Sequence, residues 1–209
     1  MSSISIIGLG NMARVLGVRA VAGGHSVQII GRYAAQAAAL ADELGGNATA
    51  GTLADPLAGD IVILAVPYGS AASVVSQYGT ALTGKAVIDI TNPFNLTTFT
   101  DLVTPDDSSA AQEIAKAAAP GTHVVKAFNT LFSGVLATGE VANRPLDVFI
   151  AGDDAGAKAS VAAFIESLGL RPLDAGDLKM AHWLEGAGLL ILGQAAKAKD
   201  FSLSIKILG

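Results

Sequence analysis

The chain has no cysteine among its 209 residues, few charged side chains (15%) and few aromatic ones (5%). Without thiols there is no disulfide framework, no thiolate metal site and no cysteine nucleophile, which points to a cytoplasmic setting. Acid is missing from the first 41 residues, where Arg14, Arg19 and Arg32 stand unopposed; the other 168 residues carry 10 basic and 18 acidic groups. A start of +3 on a chain of net charge −5 suggests an anionic ligand at that end. The negative total argues against a nucleic-acid partner. Long apolar runs are missing too: the longest stretch free of charge and histidine, Ile61–Gly84, contains Pro67, Tyr68, Gly69 and Ser70. It reads as strand, turn and helix, so no membrane span is expected. Met1 leads straight into an apolar segment without the basic region of a secretory signal.

What is present is a chain 51% hydrophobic with 24 glycines, a length at which a globular fold buries roughly 70% of its unfolded surface. Strands are predicted at Ser3–Gly8, Ser26–Gly31, Ile61–Val66, Ala86–Ile90, His123–Phe128, Asp147–Ala151 and Arg171–Asp174, with a weak one near Asn47–Gly51. Helices are predicted at Met12–Ala22, Tyr33–Leu44, Ser70–Ala81, Asp154–Leu168 and Leu178–Lys197, and a helical turn near Leu131–Ala137. Ser109 and Gln112 have capping-box spacing before a helix ending near Ala119. Ile61–Val66 is apolar throughout, as a parallel strand covered on both faces requires. Strand–helix alternation of this kind specifies an α/β Rossmann fold, a doubly wound, mostly parallel sheet. Residues 1–175 are expected to form the nucleotide-binding unit and 176–209 a C-terminal helical extension of the same compact body. That last helix carries only Glu185 as a charge between Lys179 and Lys197. So apolar a helix must be covered on most sides, by the sheet or by a second copy in a homodimer.

Gly8, Leu9, Gly10, Asn11, Met12 and Ala13 match G-x-G-x-x-G/A where the first strand meets the first helix. Gly8 permits the tight turn, Gly10 admits a pyrophosphate to the backbone, and Ala13 lets the helix pack closely. The free amides at the helix start then face the phosphates. About 20 residues on, where an NAD enzyme keeps an acid for the ribose diol, the chain reads Gly31-Arg32, and no acid follows until Asp42. A guanidinium there can grip the 2′-phosphate of NADP through two parallel bonds, with Gly31 leaving room for it. The cofactor expected is NADP.

Together these pieces resemble a known family, the NADP-dependent oxidoreductases of the 5-deazaflavin coenzyme F420 and related dinucleotide-binding enzymes. The matching segments are Ile6–Ala13, Gly31-Arg32, Ile63–Ala71, Asp89–Phe94, Val124–Thr130 and Phe149–Asp154. The resemblance implies hydride transfer between NADP and a deazaflavin or flavin-like acceptor. It also implies that Ala65, Val66, Pro67 and Tyr68, together with Asn92 and Pro93, border the nicotinamide. Asn92 would bond the ribose or carboxamide, while Lys126, Phe128 and Asn129 either shape the acceptor pocket or support it. No acid–base catalyst and no metal-ligand spacing stand out. His25 and His123 read as structural, and His182 with Trp183, at the start of the apolar helix, as core or interface residues or as residues facing an acceptor. Hydride transfer between two carriers asks for little proton chemistry. A non-catalytic NADP sensor, or a reductase of a small imine or carbonyl, fits the same residues.

Overall fold

A computed structural model describes residues 2–208. β1 (Ser3–Ile7) leads into α1 (Asn11–Ala22), and β2 (Ser26–Gly31) leads into α2 (Ala34–Leu44) and β3 (Ala48–Thr52). Next come β4 (Ile61–Leu64), α3 (Tyr68–Tyr78), a 3₁₀ turn Gly79–Leu82, β5 (Ala86–Asp89), α4 (Ala110–Ala117), β6 (His123–Lys126) and α5 (Ser133–Thr138). A short hairpin, β7 (Glu140–Val141) and β8 (Arg144–Pro145), precedes β9 (Asp147–Gly152), α6 (Ala155–Ser167) and β10 (Arg171–Gly176). A second 3₁₀ turn, Leu178–Met180, opens α7 (Ala181–Ala198).

Eight strands form one sheet in the order β10-β9-β6-β5-β4-β1-β2-β3. The run from β3 to β6 is parallel, with the order 3-2-1-4-5-6 of a dinucleotide-binding sheet. β9 joins antiparallel to β6, and β10 then runs parallel to β9. Residue alternation explains why both faces are covered. Ile4, Ile6, Ile61, Ile63 and Ile88 pack on the side of α1, α2, α5 and α6, while Ile7, Val62, Leu64 and Val87 pack toward α3 and α4. One polar pair enters this core satisfied: buried Ser5 donates to Gln28 Oε1 at 2.8 Å and accepts from the Gly59 amide at 2.9 Å.

Half of the capping box forms: Ser109 Oγ accepts from the Gln112 amide at 3.1 Å, while Gln112 Oε1 accepts from the Ser109 hydroxyl at 3.1 Å. The β7–β8 hairpin is an addition to the sequence reading. Its two turn residues, Ala142 and Asn143, have φ of 50° and 58°, the handedness of a tight hairpin turn, and alanine carries no signal for that conformation. Within the single chain α7 is covered along one stripe. Its inner stripe of Ala181, Leu184, Glu185, Gly188, Ile191 and Ala195 is buried, but Trp183 and Leu190 on the outer side stay 65% and 64% exposed. Among the described residues no helix is long and apolar enough to cross a membrane.

Candidate active site

At the carboxyl ends of β1, β2 and β4 lies a cleft of about 340 Å³. Its walls include Gly8, Leu9, Gly10, Gly31, Arg32, Ala65, Val66 and Pro67, eight of the residues singled out from the sequence. The turn after β1 is built on two glycines with different duties. Gly8 has φ +132°, and a Cβ there would lie 2.0 Å from the Ala65 carbonyl oxygen; the turn is seated against the end of β4. A Cβ on Gly10 would meet nothing within 4 Å and would project into open space. Gly31 has a third reason to be bare: a Cβ there would strike the Leu9 side chain at 2.6 Å. It makes room for the neighbouring turn, where the sequence suggested room for a phosphate.

Three helices begin around this cleft, and all three begin uncapped. α1 starts at Gly10, α2 at Tyr33 and α3 at Pro67, none with a side-chain cap and none with an acid in its first turn. The first helical amides, among them Asn11, Met12 and Ala13, are the donors such ends leave over. Among the other helices, α5 and α7 also begin without a side-chain cap, but α4 and α6 do not. α4 is capped by Ser109 and by Glu185, which accepts from the Ala110 and Ala111 amides, and α6 is capped by Asp154. Three positive helix ends therefore face one cavity without internal compensation, a setting suited to anions.

Only one of the three early arginines adds to that field. Arg14 pairs with Glu43, and Arg19 donates to the carbonyls of Leu136, Ala137 and Leu168. Arg32 is exposed on the cleft wall and takes part in none of the ion pairs among the described residues. The cationic start of the sequence thus reduces to a single free guanidinium, placed at the amino end of α2.

Asn92 and Pro93 are set apart from the cleft. Asn92 lines a second, smaller pocket of about 70 Å³ between the loops after β5 and β6 and α7; Pro93 is buried. The Asn92 amide group donates to the Asn129 carbonyl at 2.8 Å, and Asn129 Nδ2 donates to Asn92 Oδ1 at 3.0 Å. Tyr68 is half-buried at the start of α3. Burial, followed by the carboxylates of Glu113, Glu185 and Asp89, pushes its phenol up, so it remains a protonated donor at neutral pH.

Beneath these loops Lys126, which the resemblance left either to shape the acceptor pocket or to support it, belongs to a buried ion triad that the sequence reading did not foresee. Lys126 is wholly buried, its Nζ 2.7 Å from Asp89 Oδ2, 2.7 Å from Glu185 Oε1 and 2.6 Å from the Thr91 carbonyl. Asp89 and Glu185 are equally inaccessible. The triad ties the ends of β5 and β6 to α7 and, through Glu185, to the start of α4. A lysine so enclosed supports the site and cannot touch a ligand. Its trace in the sequence was three lone charges set in apolar segments: Val124-Val125-Lys126, Val87-Ile88-Asp89 and the helix around Glu185.

The histidines are structural. His25 bonds the Ser2 amide and Ser167 and packs edge-on against Phe164. His182 bonds the Ser108 carbonyl, and His123 sits 3.6 Å from Asp154. His25 and His123 line a groove of about 630 Å³ at the amino ends of the strands. That groove is larger than the glycine-rich cleft, but it lies at the wrong end of a parallel sheet for ligand binding. Among the described residues no group of three or more metal-ligating side chains forms.

Strand order, glycine turn and cleft define a Rossmann-fold protein of the dinucleotide-binding class. The sequence model of the family described as "NADP oxidoreductase coenzyme F420-dependent" matches residues 3–93. The F420-dependent NADP reductase of Methanocaldococcus jannaschii is 31% identical over 155 residues, covering 71% of this chain and 68% of that one. The chain belongs to this family of coenzyme F420-dependent NADP oxidoreductases. The metalloreductase STEAP3 of Rattus norvegicus is 30% identical over 191 residues, which are 90% of this chain but 37% of that longer protein. In fold, the crystal structure of an Arthrobacter sp. FB24 protein assigned as an F420-dependent NADP-reductase superposes with a TM-score of 0.88 at 24% identity, covering both chains fully.

Proposed function

We propose that the protein binds NADP in the glycine-rich cleft and passes hydride between its nicotinamide and a planar acceptor, coenzyme F420 or a flavin-like molecule. One observation carries the reading: three uncapped helix ends and the unpaired Arg32 converge on a single cavity. NADP has two anionic groups to place there, and the residues fit both. The pyrophosphate belongs over Gly8, Leu9 and Gly10, where the open side of Gly10 leaves space and the amides of Asn11, Met12 and Ala13 point outward from the helix start. The 2′-phosphate belongs between Arg32 and the start of α2, beside Gly31. Ala65, Val66, Pro67 and Tyr68 would border the nicotinamide, with Asn92 and Pro93 framing its far side.

When bound, the nicotinamide supplies the hydride chemistry. The chain supplies placement, electrostatics and exclusion of water; the cleft lining contains no carboxylate, histidine or lysine to exchange protons with either partner. In this reading residues 1–175 hold the dinucleotide, and the segment from residue 176 onward closes the acceptor end within the same compact unit. The outer stripe of α7, with exposed Trp183 and Leu190 one heptad apart, would pair two copies of the chain. A chain without cysteine suits a cytoplasmic setting.

The decisive experiment measures dissociation constants for NADPH and NADH in the native protein and in Arg32→Ala. Loss of a charge-assisted pair of bonds should weaken NADPH by about 1.5–3 kcal/mol, roughly 10- to 150-fold, and leave NADH nearly unchanged. Equal weakening of both would remove the phosphate from Arg32. A panel of deazaflavin, flavin and imine acceptors, followed by loss of NADPH absorbance, then identifies the acceptor; binding without turnover on any of them would instead mark a sensor.

A further inference from the structure

Tyr68 is the first residue of α3 and directly follows Pro67 on the wall of the glycine-rich cleft. Two stripes of this helix face different ways. Ser70 and Val74 line the cleft together with Val66 and Pro67, whereas Tyr68 does not. Helical spacing sets Tyr68 instead on the stripe of Ala71 and Val75. Those two are buried in one cluster with Ala111 and Ile114 of α4 and Ala181 of α7. Side chains on a helix lean toward its amino end, which for α3 is the end where the parallel strands finish. The ring therefore stands above the packed part of its stripe, on the side of α4 and α7. The charges that act on the phenol come from that side as well: Glu113 of α4, Glu185 of α7 and Asp89 at the end of β5. At Tyr68 the backbone continues the cofactor cleft while the side chain leaves it for the neighbouring space.

The phenol is both open and unspent. Its hydroxyl has no hydrogen-bond partner among the described residues, and it is not one of the enclosed, partnerless polar atoms, as the Tyr78 hydroxyl is. Neighbouring polar groups are committed. Asn129 gives both amide hydrogens away, to Asn92 Oδ1 at 3.0 Å and to the Leu184 carbonyl at 2.9 Å. Lys126 is closed in between Asp89 and Glu185. His182 Nδ1 faces the Ser108 carbonyl at 2.9 Å and must carry its proton there, so the neutral ring has only an acceptor left at Nε2. Tyr68 remains as a neutral donor whose hydrogen is bound to nothing in the fold. A carbonyl oxygen is the partner such a donor suits.

We propose that Tyr68 determines specificity for the redox partner by donating its phenolic hydrogen to a carbonyl oxygen on that partner's ring system. The inference rests on the hydride-transfer reading above and names a chemical feature within it: planar partners with a ring carbonyl, as flavins and deazaflavins have, are preferred over planar partners without one. The dinucleotide makes no use of this hydroxyl, because the side chain lies outside the cleft that holds it.

Tyr68→Phe removes one oxygen that the fold does not use, so its melting temperature should equal that of the native protein. Dissociation constants would be measured by fluorescence at saturating NADP, the oxidised form, which has no hydride to transfer. The two probes are 5-deazariboflavin and N-methylacridinium, a tricycle of similar width without a carbonyl. In Tyr68→Phe the deazariboflavin constant should rise about three- to tenfold, and those for N-methylacridinium and NADP should stay within about twofold. Difference infrared spectra of bound 5-deazariboflavin give a second readout: a ring carbonyl band should move to higher wavenumber in the variant as its hydrogen bond is lost. Equal weakening of both tricycles would make Tyr68 a packing surface. An unchanged constant with an unmoved carbonyl band would leave the hydroxyl facing water, and a weakened NADP alone would place it on the nicotinamide. Each of these three results overturns the proposal while the proposed cofactor site stands. If the native protein binds NADP but no 5-deazariboflavin, the proposal is wrong and the sensor reading gains. If it binds no NADP, the proposed function itself fails.

Discussion

Replacing Lys126 by methionine should cost the fold about 3–5 kcal/mol at pH 7, the usual consequence of removing one partner from a buried ion pair. The size follows from what is left behind. Asp89 and Glu185 are each 2.7 Å from Nζ and neither has any solvent contact, so methionine leaves two enclosed carboxylates without a counter-charge. Asp89 keeps its bond from the Thr91 amide at 2.8 Å and Glu185 keeps the Ala110 amide at 3.0 Å, which offsets only part of that loss. For a chain of this length the penalty corresponds to a fall in Tm of roughly 6–20 °C. Glu185→Gln is the opposite case. Burial already pushes the Glu185 carboxyl up, against the pull of Lys126 and of the Ala110 amide. Exchange for a neutral isostere removes an anion that burial disfavours and leaves a one-to-one Lys126–Asp89 pair, so it should cost no more than about 1 kcal/mol.

Acid supplies the check on mechanism. A carboxyl raised on folding binds its proton more tightly in the native state than in the unfolded chain. Its stabilising contribution is therefore present below the unfolded value near 4.3 and is lost as pH rises through the folded one. Removing Lys126 takes away the main influence holding Glu185 down, so the deficit of Lys126→Met should shrink between pH 8 and pH 5. Urea unfolding of the three proteins at pH 5, 6, 7 and 8 measures all of this. A Glu185→Gln variant as unstable as Lys126→Met, or a deficit independent of pH, would refute the picture of a lysine balancing two buried acids.

Other consequences separate binding from folding. Gly8→Ala drives a Cβ into the Ala65 carbonyl at φ +132° and should destabilise by at least about 3 kcal/mol, seen as a lost or much lowered melting transition. Gly10→Ala finds no neighbour within 4 Å; its Tm should hold while NADPH affinity, read by fluorescence, drops about tenfold. For Asp147, burial works to raise the carboxyl, but bonds from Arg171, Lys206 and the Ile207 amide bring it down to about 2. The stability it lends is present above the unfolded value near 3.9 and disappears as pH falls through about 2. Asp147→Asn should free the C-terminal tail at neutral pH, detected as faster limited proteolysis near Ser202–Lys206. Leu190→Glu places a charge on the exposed stripe of α7 and should give a monomer by light scattering, with the melting temperature of the monomeric fold retained.

The half of the molecule that holds the cleft was readable because its determinants are local. A glycine pair, a strand of period two and a missing acid all lie within about 35 residues of the start, and each has one physical reading. Even there the reasons shift: Gly31 yields to Leu9, and Arg14 and Arg19 are spent on Glu43 and on backbone carbonyls. The helices from α3 to α7 and the strands β4, β5, β6, β9 and β10 were visible as apolar runs, but the β7–β8 hairpin and the reversal of β9 against β6 were not. Strand direction depends on how the β7–β8 hairpin turns the chain, and that turn rests on Ala142 and Asn143 with positive φ. The acceptor end was least legible. Its lysine, its two acids and its paired asparagines come from β5, β6, their loops and α7, so no window of sequence contains the arrangement.

This division bears on how such a protein changes its reaction. The proposed cofactor half is fixed by close approach: a Cβ at Gly8 is forbidden by backbone, and one at Gly31 would have to push aside the end of the Leu9 side chain. The proposed acceptor half is held by bonds between loops, with Gly188 and Asn129 among the residues lining a pocket of about 70 Å³. A single methyl group there changes the available volume by a large fraction, whereas the same methyl at Gly10 alters one wall of a cleft five times larger. If the small pocket serves the acceptor, substitutions at Gly188, Phe94 or Ile191 should shift preference among planar acceptors while the Kd for NADPH stays within about twofold; if it serves the nicotinamide, they should weaken NADPH as well. Measuring kcat/KM for deazaflavin against flavin alongside that Kd separates the two halves. An acceptor profile that never moves without the NADPH affinity would mean that both ligands share one rigid site.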